Sequence, residues 1–562
     1  MIQFDSRDKK FKSPYGAVPC GTAVSFRLLA QNCEEAFLIT DTLGTFPMKK
    51  DGDFFTYTLT VTEAGLVHYC FRAHDMYGNT IWCGKGEGGK SACSATIPPF
   101  YQLTVFEQTP ALPDWYQKGI VYQIFPDRFR VGGEVRRTKE NAYYRAWDEQ
   151  PAYIKDGNGN IQKWDFYGGN LQGITEKLPY LKLLGVTAIY LNPIFKSMSN
   201  HRYSTADFRH IDEMLGSLDD FKTLINEAEK HGIKLILDGV FNHVGADSVY
   251  FNKFGTFGTD GAYKNPDSKY RSWFRFRNYP NEYDCWWGVS DLPDLNTENA
   301  DLRDYLISGE NSIIKYWTRL GIGGWRLDVA DELPDDFLAL LYKTVKANSD
   351  NAIVMGEVWE DASNKIAYDK LKKYFTNREL DCVMNYPLRD NLLAFFGGEI
   401  SATMLAERFE TLRENYPKSA FYGGLNLLGT HDVERIFTKA QDILPENPIA
   451  LLTQLVALQF AFPGVPCIYY GDEAGLTGGK DPDNRKPYPW GNENEQVMAI
   501  YKTYTAKRVE SPILQSGETK FFAIGEDVFG VKRFTDGKNY TILVNRSGET
   551  KENIPPHGIK EE

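Results

Sequence analysis

Hydrophobic positions along this chain keep three successive rhythms. From residue 1 to about 113 they alternate with polar ones over short runs: TAVSFRLLA, EAFLIT, FFTYTLTV and GLVHYCFRA, set apart by Gly, Asp and Asn clusters. Period-two alternation puts apolar side chains on one face, and several such runs in series predict an antiparallel β-sandwich. The segment TPALPDWYQKG, with Pro110 and Pro113, reads as a stiff boundary. Between 114 and about 507 compact apolar runs alternate with stretches of helical period. The runs are 119–125, 186–192, 233–238, 324–328, 352–357, 382–386, 426–430 and 465–470. Between them, LDDFKTLINEAEKHG repeats apolar residues at helical spacing before a closing Gly. Eight strands alternating with helices predict an α/β fold, a (β/α)8 TIM barrel. The stretch from about 244 to 300, with Trp273, Trp286 and Trp287, is too long for a loop and predicts a lobe inserted after the third strand. From 508 to 562 alternation returns in TKFFAIG, VFGVKRF and NYTILVN, predicting a small C-terminal β domain.

Polar groups gather where the barrel strands end. The third gives Asp238, Asn242 and His243; the fourth Arg326 and Asp328; the fifth Glu357; the seventh His431 and Asp432. Any one such Asp is as well explained as a helix cap. Jointly, acids at the carboxyl ends of parallel barrel strands converge on one cavity. Splitting an acetal requires a proton for the leaving oxygen and a negative charge beside the forming oxocarbenium ion, which two carboxyl groups supply. Arg326 stands two residues before Asp328, so both share a strand face. A guanidinium there is expected to hold Asp328 ionised, which makes it the nucleophile and leaves Glu357 as proton donor. Asp432 and the two histidines are placed to bind sugar hydroxyls.

Bulk properties narrow the partners. A chain of 562 residues exceeds one hydrophobic core. A net charge of -12 without a basic block argues against nucleic acid or anionic membranes as partners. None of the eight cysteines forms a CxxC pair, so reduced thiols are expected, with a disulfide among the five in the first hundred residues left open. The start, MIQFDSRDKKFKSP, lacks an apolar leader, and cytoplasmic residence is the expectation for the chain as it stands.

The motifs DGVFNH, GWRLDVADE, GEVW and LLGTHD, in that order, resemble those of glycoside hydrolase family 13, the α-amylase family. GIVYQIFPDRF, FYGGNLQGI, SNHRYSTADF and GVPCIYYGDE extend the resemblance over about residues 119 to 475, toward the neopullulanase, cyclomaltodextrinase and maltogenic amylase branch. It implies a retaining α-glucan hydrolase acting on maltodextrins, cyclodextrins, starch or pullulan. Asp328 matches the nucleophile, Glu357 the acid/base and Asp432 the third acid. Arg326, His243 and His431 match residues around the cleavage subsite, and Tyr203 the aromatic platform beneath its sugar. Asp481 and Arg485 match a pair on the next, non-reducing sugar. Glu332 and Trp359 are expected at the leaving-group subsites. The resemblance also suggests a homodimer through the sandwich, or glucan binding there through an aromatic such as Trp82.

Departures leave some points open. Asp331 stands where the branch often has Asn, and LPDLN (292–296) differs from its usual motif, so the choice between α-1,4 and α-1,6 bonds is open. Relatives that bind calcium carry an Asn/Asp-rich loop where this chain has RVGGEVRRTKEN. Asn170 and Asn242 are its weak candidate ligands, expected to be structural, and the chemistry needs no cofactor. Two other classes compete: a non-catalytic glucan-binding relative, disfavoured by the three retained acids, and a metallohydrolase built on Asp238, His243, His431 and Asp432, opposed by the cation of Arg326.

Overall fold

The computed structural model describes residues 1–140, 142–157 and 161–562. Asn141, the last residue of RVGGEVRRTKEN, lies outside the described residues.

All eight expected strands enter one parallel sheet: β1 (Val121–Ile124), β2 (Ala188–Leu191), β3 (Lys234–Gly239), β4 (Gly324–Leu327), β5 (Ile353–Gly356), β6 (Cys382–Val383), β7 (Leu425–Leu427) and β8 (Val465–Tyr469). β1 pairs with β2 and β8, and the order runs round to β6 and β7. A parallel bridge between Met384 and Leu425 closes the barrel. Alternation along each strand sorts two cores. Ile189, Leu191, Leu235, Leu237, Trp325 and Leu327 belong to the layer packed on the helices. Tyr190, Ile236, Met355 and Leu427 belong to the barrel interior. The helix Leu218–Lys230 shows how local signals set an element. Ser217 and Asp220 form a reciprocal capping box at its start, and it buries Phe221, Leu224 and Ala228.

The N-terminal strands, from Ile2 to Phe106, form two antiparallel-rich sheets around one core that includes Phe4, Phe26, Tyr69 and Phe71. This sandwich docks on its own barrel: Arg7 pairs with Glu407 at 2.6 Å and with Glu414 at 3.1 Å. Trp82 is half-buried, with the Arg72 guanidinium 5.7 Å from its ring. Cys83 and Cys93, opposite one another on paired strands, form a disulfide, so the expectation of reduced thiols fails for this pair. Four antiparallel strands between Glu518 and Glu561 form the C-terminal sheet. No helix among the described residues is long and apolar enough to cross a membrane.

Candidate active site

Strand register sets the centre. Asp238, Arg326 and Met355 sit side by side on β3, β4 and β5. Trp325 and Leu327 point out into the helix layer, so the period of two turns Arg326 and Asp328 inward. Arg326 is fully buried. Its Nη1 donates to Asp238 Oδ1 at 2.8 Å and to Asp328 Oδ1 at 2.7 Å. Its Nη2 lies 2.9 Å from Glu357 Oε2, an ion pair off the line of a hydrogen bond. One cation thus serves three carboxyl groups.

The three are held differently. Asp238 is saturated: its other oxygen accepts from Tyr190 Oη at 2.6 Å and Tyr203 Oη at 2.8 Å. Glu357 accepts at both oxygens, from the Val329 amide at 2.9 Å and from Trp359 Nε1 at 3.1 Å. Asp328 has one oxygen on Arg326, while Oδ2 has no hydrogen-bond partner among the described residues. Val329, next to Asp328, has φ 39° and ψ 57°. A β-branched residue in the left-handed region costs on the order of 1–3 kcal/mol. That conformation delivers its N–H to Glu357, so one strained peptide links the two acids.

Asp432 and its neighbours form one wall. Gln123 Nε2 donates to His431 Nδ1 at 3.0 Å, which leaves the imidazole proton on Nε2, 3.1 Å from Asp432 Oδ2. Tyr203 stacks on His431, ring centres 5.1 Å apart and 5° from parallel. Arg485 donates Nε to the His431 carbonyl at 2.9 Å and pairs with Asp481 at 3.0 Å. Its Nη2 stands 3.6 Å from Asp432 Oδ1. Asp481 also accepts from Tyr153 Oη at 2.5 Å. Tyr203, His431, Asp432, Asp481 and Arg485 therefore form one contiguous array.

On the other wall His243 packs at 5.4 Å from Trp286, and its buried Nε2 has no partner among the described residues. Asn242 donates to Asp294 of the LPDLN segment at 3.3 Å. Glu332 accepts from Trp287 Nε1 at 3.0 Å and from Tyr368 Oη. Asp331 is spent on Tyr374 and Lys365, in the loop after β5. Trp359 is 41% exposed and stacks on Tyr386 at 4.0 Å while it holds Glu357. Asn170 is an N-cap: its Oδ1 accepts from Gly132 and Gly173 amides and its Nδ2 donates to the Gly132 carbonyl. Both its polar atoms are thus committed to backbone. No three His, Cys, Asp or Glu side chains among the described residues gather closely enough to hold a metal. Asp238, one of the four residues of the metallohydrolase reading, is clasped by a cation and two phenols.

Electrostatics correct one expectation. Asp328 is pushed well above the usual carboxylate range, by burial first, against Arg326 and with the charges of Glu357 and Asp238. The guanidinium does not outweigh burial together with the charges of Glu357 and Asp238. Asp238 is raised too, burial again leading. Asp432 is pushed up to about 7, chiefly by desolvation and then by Glu357, with Arg485 and Arg326 opposing. Its side chain is 30% exposed, so solvent screening makes that an upper bound. Burial lowers His243 to about 4 and His431 well below the usual imidazole range, so both are neutral at neutral pH. Burial thus works against full ionisation of Asp238, Asp328 and Asp432 together, and acid catalysis draws on environments of this kind.

Sequence reasoning passed over Gln123, Tyr190 and Val329. A polar residue inside the apolar run GIVYQIF was a usable signal for Gln123. Nothing local announced the backbone of Val329.

A family profile described as the α-amylase catalytic domain matches residues 123–515. The chain is 34% identical over 625 residues to an amylopullulanase of Thermoanaerobacter thermohydrosulfuricus, covering 98% of this chain and 42% of that protein. It is 36% identical over 528 residues to a cyclomaltodextrinase of Geobacillus thermopakistaniensis, covering 90% and 83%. The solved type III pullulan hydrolase of Thermococcus kodakarensis superposes with a TM-score of 0.71 at 27% identity, over 100% of both chains. The chain spans less than half the length of the amylopullulanases it matches, 42%, 47% and 33% of them. With the profile covering most of its length and its barrel, the chain belongs to the α-amylase family, glycoside hydrolase family 13.

Proposed function

We propose that this protein is a retaining α-glucan hydrolase that cleaves α-1,4 bonds, and α-1,6 bonds where its loops admit them. One observation carries the reading. Asp328 keeps an oxygen with no hydrogen-bond partner among the described residues, while Arg326 fixes the other and also touches Glu357. That is what a nucleophile beside an acid/base needs. Carboxyl groups sharing one guanidinium suit the close spacing, about 5–5.5 Å, of retaining enzymes rather than the wider gap that houses a water.

For the reaction Glu357 carries the proton it donates and Asp328 is ionised, the form that the Arg326 hydrogen bond to Oδ1 favours against burial. Asp328 Oδ2 attacks the anomeric carbon, and Glu357 protonates the departing glycosidic oxygen. Glu357 then takes a proton from water, or from a sugar hydroxyl, which breaks the glycosyl–Asp328 ester. Asp432 and the neutral histidines bind hydroxyls of the sugar that Tyr203 supports. Side chains fill every role, so the reaction is proposed to need no cofactor. The relatives named for pullulan and cyclodextrins support glucans as substrates. The test is digestion of pullulan with product analysis: panose or isopanose reports α-1,4 cleavage, maltotriose α-1,6. Full activity in Asp328→Asn would refute the mechanism.

Dimerisation through the sandwich is likewise a proposal. Met76 and Tyr77, 52% and 83% exposed at one turn, give that domain an apolar knob for a second copy. Sedimentation at twice 64.0 kDa is the expected result.

A further inference from the structure

The leaving-group side carries a construction that the catalytic acids do not require. Glu332 lies in the turn after β4, Trp287 in the lobe after β3, and Tyr368 in the loop after β5. The single carboxylate of Glu332 accepts from both aromatics, one on each oxygen. Trp287 also neighbours Trp286 at 5.9 Å, and Trp286 packs on His243. Contacts therefore run unbroken from the cleft histidine, across the β4 turn, to the loop that follows the acid/base. Tyr374 and Lys365 fasten that loop to the same turn through Asp331.

Two features argue that the linkage is not incidental. Trp287 and Tyr368 are 80% and 67% exposed, so burial does not fix them. Both hold left-handed backbone, φ 50° and 51°. Bulky residues adopt that region at a cost, and keep it where surrounding contacts impose it, typically at functional sites. Here the contacts are an indole N–H and a phenol aimed at one carboxylate, and hydrogen bonds to a charged acceptor are the strong kind.

The direction of the cleft gives the linkage its meaning. Asp481 and Arg485, which this reading assigns to the non-reducing sugar, stand beyond Asp432 on the loop after β8. On that assignment the leaving-group side lies across Asp328 from them, where the family resemblance places Glu332 of the β4 turn. We propose that Trp287, Glu332 and Tyr368 wall this exit, so that the enzyme favours bonds with short leaving groups, near reducing ends. The proposal rests on the α-glucan hydrolase reading and adds the length of chain accepted beyond the cut.

The experiment uses the full chain and maltoheptaose labelled at its reducing end. In the wild type the label appears chiefly in glucose and maltose. Tyr368→Phe removes one hydroxyl, and Trp287→Ala opens the lobe side. In each, label moves into maltotriose and longer products by about tenfold, the lower end of what one lost hydrogen bond to a charged acceptor gives. Unchanged label distribution in both variants overturns the wall, as does a wild type that places most label in long products. A wild type that cleaves no α-glucan overturns the hydrolase reading, and the wall with it.

Discussion

Replacing Arg485 with Met tests how the charge around Asp432 is set. Arg485 is 6% exposed and stands 3.6 Å from Asp432 Oδ1, and it pulls this carboxyl down more strongly than Arg326 does. Two unit charges about 4 Å apart interact by about 4 kcal/mol at an effective dielectric of 20, and by about 1 kcal/mol in water. Asp432 has a side chain 30% open to solvent, which places the loss toward the lower figure. About 1.4 kcal/mol corresponds to one pH unit. The sign is fixed: removing a cation disfavours the carboxylate, so Asp432 stays protonated to higher pH. The acid limb of the kcat/KM profile on maltotriose should therefore move alkaline by roughly one unit. Arg485→Lys keeps the charge but loses the Nε bond to the His431 carbonyl, so activity should fall with the limb near its wild-type position. Raising salt from 0.1 M to 1 M shortens the screening length from about 10 Å to about 3 Å and should shrink the Met shift. An identical limb in wild type and Arg485→Met would refute the assignment of that limb to Asp432.

Trp359→Phe keeps the stack on Tyr386 and removes only the N–H held by Glu357 Oε1. A hydrogen bond to a charged group contributes about 1.5–3 kcal/mol, so kcat should fall about 10- to 100-fold, read from steady-state kinetics. Glu473, fully buried, is pushed up to about 7 by burial, with Tyr122 and Tyr180 bonds opposing. Between its ordinary value of 4.5 and about 7 the native state binds a proton that the unfolded chain has released, so stability falls as pH rises through that window. Urea unfolding should show wild type losing about 2–3 kcal/mol between the two ends, and Glu473→Gln losing less. Equal losses would place the coupling elsewhere.

Legibility in the sequence followed the range of the interaction. Compact apolar runs of strand length assigned all eight barrel strands, and the period of two put Arg326 and Asp328 on one face because a strand's geometry is local. Asn170 was likewise readable as a structural residue, since a cap acts within a few residues. The upward push on the Asp328 carboxyl was not readable. The guanidinium two residues away was visible, but Asp238 and Glu357, which compete for it, come from neighbouring strands 90 and 29 residues distant along the chain. The Cys83–Cys93 pair escaped for the same reason: cross-strand register decides it.

The sequence by itself determined the barrel, the acids at its strand ends and the inward pairing of Arg326 with Asp328, because alternation and strand length are properties of short segments. Only the tertiary structure decided how one buried cation is divided among three carboxyl groups, which oxygen of Asp328 is left free, and that Glu332 gathers Trp287 and Tyr368 from two loops. Those outcomes depend on burial and on loops meeting in space, and no spacing along the chain encodes either.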